Sequence, residues 1–476
     1  MASENKLGVM PVSKLIWNMS LPIIASMMVQ ALYNIVDSMF VARISQDALT
    51  AVSLAFSAQQ LMIGLATGTA VGVNALMGRA LGAGDRKRAN DVAMHGVLLA
   101  FVGFVICALL GVNFSNALFS FQTEVPGIIE MGNEYLHVIC GCSFGLFGQI
   151  MFERLLQGTG RSIYSMFTQG LGAIINIILD PIFIFLFGLG VRGAAIATVI
   201  GQCCGLTLAI FFNITRNPDI RLNFFRFRLQ FRIIGGIYAI GLPSVIMMAI
   251  GSVMTFLMNK ILITYHAAHE TAATAFGIFF KINSFVFMPV IGLNNGVVPI
   301  VAFNYGAQQR YRVLEAIRRS LVYDVAIMLV GMTIFLTMPR LLLKIFAAGP
   351  QLMAVGVPCL RIISLSFPMA GLCIALGSSM QALGKSIYTM IMSFVRQLVV
   401  LVPVAYLLGR IGSSLGESNW VWWSYPIAEV AALVITLLSY DHVFHTLIMN
   451  IPPEGPGTGD IETYETEEYE EGGIPQ

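Results

Sequence analysis

Apolar residues along this chain gather into twelve long runs separated by short polar breaks, at about 15–41, 49–77, 92–119, 132–156, 162–187, 193–213, 237–264, 272–300, 316–338, 353–381, 386–408 and 419–440. A helix needs about 20 mostly apolar residues, at ~1.5 Å each, to cross roughly 30 Å of hydrocarbon. Every run has that length. The pattern predicts an all-α polytopic membrane protein with twelve transmembrane helices, numbered here as spans 1–12. The first run carries Asp37 and has no clear small-residue cleavage site, so it is read as a retained span and not a signal peptide.

Composition agrees. Of 476 residues, 57% are hydrophobic and 11% charged, with a mean hydropathy of +0.79. Soluble domains carry about a quarter charged residues, so an ordinary soluble enzyme is excluded. The formal charge of +2 leaves no basic footprint for nucleic acid. Eight acids crowd the stretch from Glu454 to Glu471, which predicts an acidic, disordered tail.

Twelve spans place both termini on one side. Seventeen Lys and Arg fall on that side, among them Arg86, Lys87, Arg88, Arg226, Arg228 and Arg232, against Arg43, Arg192, Arg340, Lys344 and Arg410 opposite. The positive-inside rule makes both termini cytoplasmic. The seven cysteines form no CxxC pair, which argues against a disulfide framework or a zinc site. His266 and His269 are read as ordinary loop histidines.

The chain also repeats itself. Leu156 to Met166 (LQGTGRSIYSM) and Met380 to Met390 (MQALGKSIYTM) match at an offset of 224. Ser20-Leu21-Pro22 matches Gly241-Leu242-Pro243, and Gly82-Ala83-Gly84-Asp85-Arg86 matches Gly306-Ala307-Gln308-Gln309-Arg310. Two homologous halves of six spans follow. Six is even, so the halves are parallel repeats, and their interface is the expected substrate region. The expected organisation is a cytoplasmic N-terminus (1–14), a first lobe (15–213), a flexible basic linker (214–236), a second lobe (237–445) and the acidic tail (446–476).

Ionisable residues are expensive inside a membrane, about 2.5–3.5 kcal/mol each at a helix centre on insertion scales, so each is a functional candidate. In the first lobe these are Asp37, Glu153 and Asp180. Gln30, Asn34 and Asp37 share a helical face, as do Asn176 with Asp180 and Thr198 with Gln202. Three neighbouring helices thus aim polar groups at one spot. Two carboxylates in a dry site do not easily both ionise, which suits the spot to a proton or to Na⁺ held by several oxygens. The alternative is structural: the acids cap or cross-link helices. In the second lobe the buried charges are read as Lys281, Arg361, Arg396 and Glu429, with Glu429 paired to Arg396 or Lys281.

The chain resembles the MATE (multidrug and toxic compound extrusion) family, its bacterial DinF-like branch above all, over about residues 13–445. The matching stretches are Leu21-Pro22, Asp37 to Ala42 (DSMFVA), Leu81 to Asp85 (LGAGD), Leu156 to Gly160 (LQGTG), Asn176 to Pro181 (NIILDP), Pro299 to Gly306 (PIVAFNYG) and Gln381 to Gly384 (QALG). The resemblance implies an antiporter that expels organic cations or amphipathic drugs as H⁺ or Na⁺ enters, with the cation carried by Asp37, Asn176 and Asp180. Gln30 and Thr198 also fall on matching positions. Some members bear acids in span 7 and after the tenth-span glycine motif. This chain has Ser244 to Met247 and Ser386 to Tyr388 there, a departure that removes the usual second-lobe carboxylates.

Three motif matches carry no chemistry. Gly141 to Gly145 fits GxSxG but lies inside a span, Gly188 to Gly193 fits GxGxxG without a βαβ unit, and Gly384-Lys385-Ser386 lacks the first glycine of a P-loop. Gly64, Gly68 and Gly72, four apart in span 2, suit close helix packing. The expected function is secondary active multidrug export by alternating access, without ATP, enzymatic activity or any cofactor beyond the coupling ion. The expected setting is a monomer in the plasma (inner) membrane, in contact with lipid. A lipid-linked oligosaccharide flippase of similar plan is the alternative, and it predicts a basic central cavity.

Overall fold

The computed structural model describes residues 5–222, 227–268, 270–346 and 349–452. The acidic tail beyond Pro452, His269 and the centre of the linker lie outside them. Among the described residues ten helices are long and apolar enough to cross a membrane, and two bent pairs bring the spans to twelve. They are Val12–Ala42, Gln46–Gly82, Arg86–Gln122, the pair Pro126–Gly141 and Phe144–Gly158, Ser162–Leu186 and Gly190–Arg216 in the first lobe. The second lobe holds Phe231–Tyr265, Thr271–Gly306, Arg310–Thr337, the pair Pro350–Ser364 and Phe367–Ala382, Ser386–Leu415 and Ser418–Ile448.

Several helices outrun their apolar cores, because backbone hydrogen bonding continues past the hydrocarbon. Span 6 reaches Arg216 and span 7 begins at Phe231, so the linker is shorter than 214–236. Its described parts are also fastened down. Asp219 pairs with Arg161, the Arg221 amide donates to Asn90 Oδ1, and the Gln230 amide donates to the His95 ring at 2.8 Å. The strap lies along the first lobe instead of swinging free.

The bends are the second departure from twelve uniform spans. Span 4 turns by 45° and span 10 by 47°. The declined GxSxG stretch is the first of these breaks, with the Ser143 hydroxyl donating to the Cys140 carbonyl. The equivalent break in the second lobe has Ser366 donating to Ile363.

The lobes meet along the half of the molecule that carries the N-terminus. From its middle to its end, span 2 presents glycines to the second lobe. A Cβ on Gly64 would meet Met248, one on Gly68 would meet Val245 and the Gly241 carbonyl, and one on Gly72 would clash with the Ile237 carbonyl. On Gly82 it would strike the Phe303 carbonyl. Missing side chains let the backbones touch.

Span 1 closes the seam on its other flank. Ser20 donates to the Leu293 carbonyl at 3.0 Å, and Arg79 donates to the Ala382 carbonyl through Nε and Nη2. The N-terminus is no loose polar tail. Leu7 is fully buried, Asn304 donates to its carbonyl, and Arg312 donates to both Leu7 and Met10.

The repeated turns have a physical basis. Gly160 and its repeat partner Gly384 both adopt left-handed backbone, φ +86° and +71°. Gly84 does so at +73°, but its partner is Gln308, at +59°. A residue with a Cβ there is strained by about 1 kcal/mol. Gln308→Gly is therefore expected to stabilise the protein by about 0.5–1 kcal/mol, read as a rise in the thermal unfolding midpoint, whereas Gly84→Gln should lower it.

Candidate cation-coupling site

The first-lobe acids come together where spans 1 and 5 pack. Asp180 is fully buried, immediately before Pro181. Proline has no N–H and crowds the carbonyl four residues back. The helix responds with a wider turn over Ile182–Leu186, in which the Phe187 amide reaches the Ile182 carbonyl. Such wide turns recur at functional sites. Span 11 repeats the device with a wide turn over Val395–Leu401 followed by Pro403, yet no acid precedes that proline.

The carboxyl groups of Asp37 and Asp180 lie close enough to interact directly, a range at which two ionised carboxylates repel. Asn176 donates through Nδ2 to Asp180 Oδ1 at 3.3 Å and to Thr198 Oγ1 at 3.2 Å. Three buried oxygens here have no donor at all: Asp37 Oδ1, Asp180 Oδ2 and Asn176 Oδ1. Leaving such atoms unpaired costs free energy, and a cation among them removes the deficit.

Asn34 does not join this group. It is exposed, and the stripe that faces the acids is Gln30, Tyr33 and Asp37, spaced three and four apart. Tyr33 and Gln30 line the same pocket, and Tyr135 of span 4 is buried. Gln59 of span 2 holds the Tyr135 hydroxyl at 3.0 Å. These tyrosines were missed because a phenol in an apolar run reads as core; only the helical spacing 30–33–37 marks the first of them.

Beside the acids lies a small, partly open pocket. Its polar lining includes Gln30, Glu153, Asn176, Thr198 and Gln202. It is inside the first lobe, whereas the sequence directs attention to the interface of the lobes. Glu153 is buried and accepts from Gln149 Nε2 (2.9 Å), Thr168 Oγ1 (2.7 Å) and Gln169 Nε2 (2.7 Å). Arg154, its neighbour in sequence, turns away to donate to Gln157.

In the second lobe Arg396 pairs with Glu429 at 3.2 Å, within a buried setting. Lys281 is exposed and forms no ion pair among the described residues, and Glu429 pairs with Arg396 instead. Arg361 is also exposed, and its Nε donates to the Leu336 carbonyl. The second-lobe acid that the sequence reading passed over is Asp324, fully buried in span 9.

One family model, MatE, matches this chain twice, over residues 22–182 and 243–407. The chain belongs to the MatE family. Both matches begin at the Leu-Pro prolines of the internal repeat, Pro22 and Pro243. Among curated relatives, Multidrug export protein MepA of Staphylococcus haemolyticus is 25% identical over 89% of this chain and 92% of its own length. Probable multidrug resistance protein NorM of Thermotoga maritima is 28% identical, over 84% and 87%. The fold matches the outward-facing structure of a multidrug resistance MATE family transporter of the MOP superfamily with a TM-score of 0.87, covering 94% of this chain and 99% of that one at 24% identity. A MOP superfamily transporter from Pyrococcus furiosus matches with a TM-score of 0.86 over the same shares. This MATE protein is a multi-pass membrane transporter.

The Glu153 cluster gives a direct test. Thr168→Val keeps the side-chain shape and removes one donor, and about 1–2 kcal/mol of stability should go with it. Thr207, exposed and bonded only to its own helix at Cys203, is the control: Thr207→Val should leave the unfolding midpoint unchanged.

Proposed function

We propose that this MATE protein is a secondary active exporter which exchanges organic cations or amphipathic compounds for an inward-moving H⁺ or Na⁺. The observation that carries this reading is the trio of donorless buried oxygens on Asp37, Asn176 and Asp180. A proton supplies one missing donor and offsets the charge of one carboxylate, and a sodium ion can be held by all three oxygens. The family membership and the likeness to the multidrug export protein MepA and the probable multidrug resistance protein NorM support multidrug export as the activity.

The cavity favours cationic substrates. Glu153 is the one charged residue in its lining, and it is an acid. The matched relatives are multidrug exporters, which favours export over the flippase alternative. With both termini in the cytoplasm of the inner membrane, the glycine seam seals the cytoplasmic side of a monomer. Substrate and coupling cation then draw on the same acidic lobe, and arrival of one weakens the hold on the other. Span 1 bridges the two events, since Asp37 lies at one end of it and Ser20 in the seam at the other.

The energetics suffice without ATP. One proton entering through ~150 mV releases about 3.5 kcal/mol, at ~2.3 kcal/mol per 100 mV. At 1.4 kcal/mol per decade that sustains roughly a 300-fold gradient of a neutral solute.

Efflux of a fluorescent cationic dye from cells tests the reading, with wild type, Asp37→Asn and Asp180→Asn run under a proton gradient alone and a sodium gradient alone. The expected outcome is wild-type efflux under one gradient, which names the ion, and a loss of roughly tenfold or more in both variants. Efflux unchanged in both would reduce the carboxylates to structural roles. No wild-type efflux under either gradient would overturn the exporter.

A further inference from the structure

The second lobe contains one acid that neither the sequence pattern nor the proposed coupling site uses. Asp324 sits in the middle of span 9 with no solvent exposure. Among the described residues its side-chain partner is the amide of Asn294 on span 8, which donates from Nδ2 to Asp324 Oδ2 at 2.7 Å and also to the Val290 carbonyl at 2.8 Å. Asp324 Oδ1 has no donor, and neither does Asn294 Oδ1, in a residue only 3% exposed. Two acceptors therefore stand in a buried place, short of one hydrogen.

No cation compensates the carboxylate among the described residues. On span 8 the basic residue is Lys281, exposed and thirteen positions from Asn294, which is about 20 Å along a helix. On span 10 it is Arg361, exposed and bonded to a backbone carbonyl. Span 1 offers Lys14, exposed, and Asp37, engaged with Asp180. On span 9 itself Arg318 is exposed and Arg319 pairs with Glu315. The opposite face of span 9 meets Gly371 of span 10, whose added Cβ would touch the Asp324 backbone.

Asn294 also sits at a mechanically weak place. Prolines 289 and 299 bracket it within span 8, and each deletes one helical hydrogen bond. Within that bracket the Leu293 carbonyl receives Ser20 of span 1, and Gly292 and Gly296 let span 1 approach at Ile24 and Ser20. The acid thus contacts the segment that holds one flank of the lobe seam.

We propose that Asp324, with Asn294, is a second protonation site of this transporter, and that its proton controls the seam through the proline-bracketed segment of span 8. A proton fits the chemistry better than a metal ion. It neutralises the lone charge and supplies the missing donor at once, whereas Na⁺ needs several oxygens and finds two free ones. Protonation leaves Oδ2 as the acceptor of the Asn294 amide and gives Oδ1 a hydroxyl to donate to the unpaired Asn294 Oδ1. The reciprocal pair ties span 8 to span 9 more firmly, and loss of the proton loosens that tie. Only the consequence for transport rests on the exporter reading; the site itself does not.

The test is pH-difference infrared spectroscopy of the purified protein in lipid vesicles, which reads the C=O stretch of protonated carboxyl groups without any transport. Wild type should show a carboxylic band that titrates, lost in Asp324→Asn and retained in the double variant Asp37→Asn/Asp180→Asn. Spin labels on cysteines replacing Lys87 and Lys385, at the ends of the two lobes, should report a pH-dependent distance change that Asp324→Asn reduces. A spectrum unchanged by Asp324→Asn overturns the proposal. Should that variant fail to fold, Asn294→Leu decides: the band shifts in frequency if the amide is its partner, and an unshifted band overturns the site. Loss of dye efflux with the band intact would instead fault the exporter cycle.

Discussion

Everything in this molecule depends on how closely two helical bundles can approach without side chains between them. Span 2 brings Gly64, Gly68, Gly72 and Gly82 against the second lobe, and at three of these an added Cβ would fall on a carbonyl. In a bilayer such contact is favourable because lipid offers no hydrophobic drive and dispersion must do the joining. Dispersion falls off steeply with distance, so a seam built this way is either closed or lost. A transporter that alternates between two states gains from an interface with that character.

The polar groups obey a harder rule. In hydrocarbon a buried donor or acceptor must find its partner within the protein. Glu153 obeys it completely, with three donors on one carboxylate. Arg396 and Glu429 pair, although Arg396 Nε keeps no acceptor. The Asp37–Asn176–Asp180 group and the Asn294–Asp324 pair leave oxygens over, with no ion pair to these acids among the described residues. A fully bonded acid cross-links helices, whereas an acid with an oxygen to spare can still take a proton.

Much of this was legible in the sequence. Twelve apolar runs gave twelve spans, and the offset of 224 reappears as paired left-handed turns at Gly160 and Gly384. The breaks in spans 4 and 10 were not, because a bent helix and a straight one share the same hydropathy. Asn34 and Tyr33 are adjacent, and composition favours the amide; the helix turns the phenol inward. Asp324 satisfies the same cost argument that singled out Asp37, so it was within reach. Its partner was not, since Asn294 is thirty residues distant and only packing joins them. Lys281 failed for a related reason: a span places a charge at a depth without fixing its direction.

The linker strap has a consequence for how the protein is made. Asp219, Arg221 and Gln230 find their partners on Arg161, Asn90 and His95, all earlier in the chain. Glu153, Asn176 and Asp180 likewise bond within the first six spans. The ribosome therefore delivers a lobe whose polar groups are largely satisfied before span 7 emerges, and domains generally fold as such units during synthesis. What stays unfinished is the N-terminus: the carbonyls of Leu7 and Met10 await Asn304 and Arg312, some three hundred residues away. Leu7 and Met10 are made long before their partners and are among the last residues of the lobe to reach their final place.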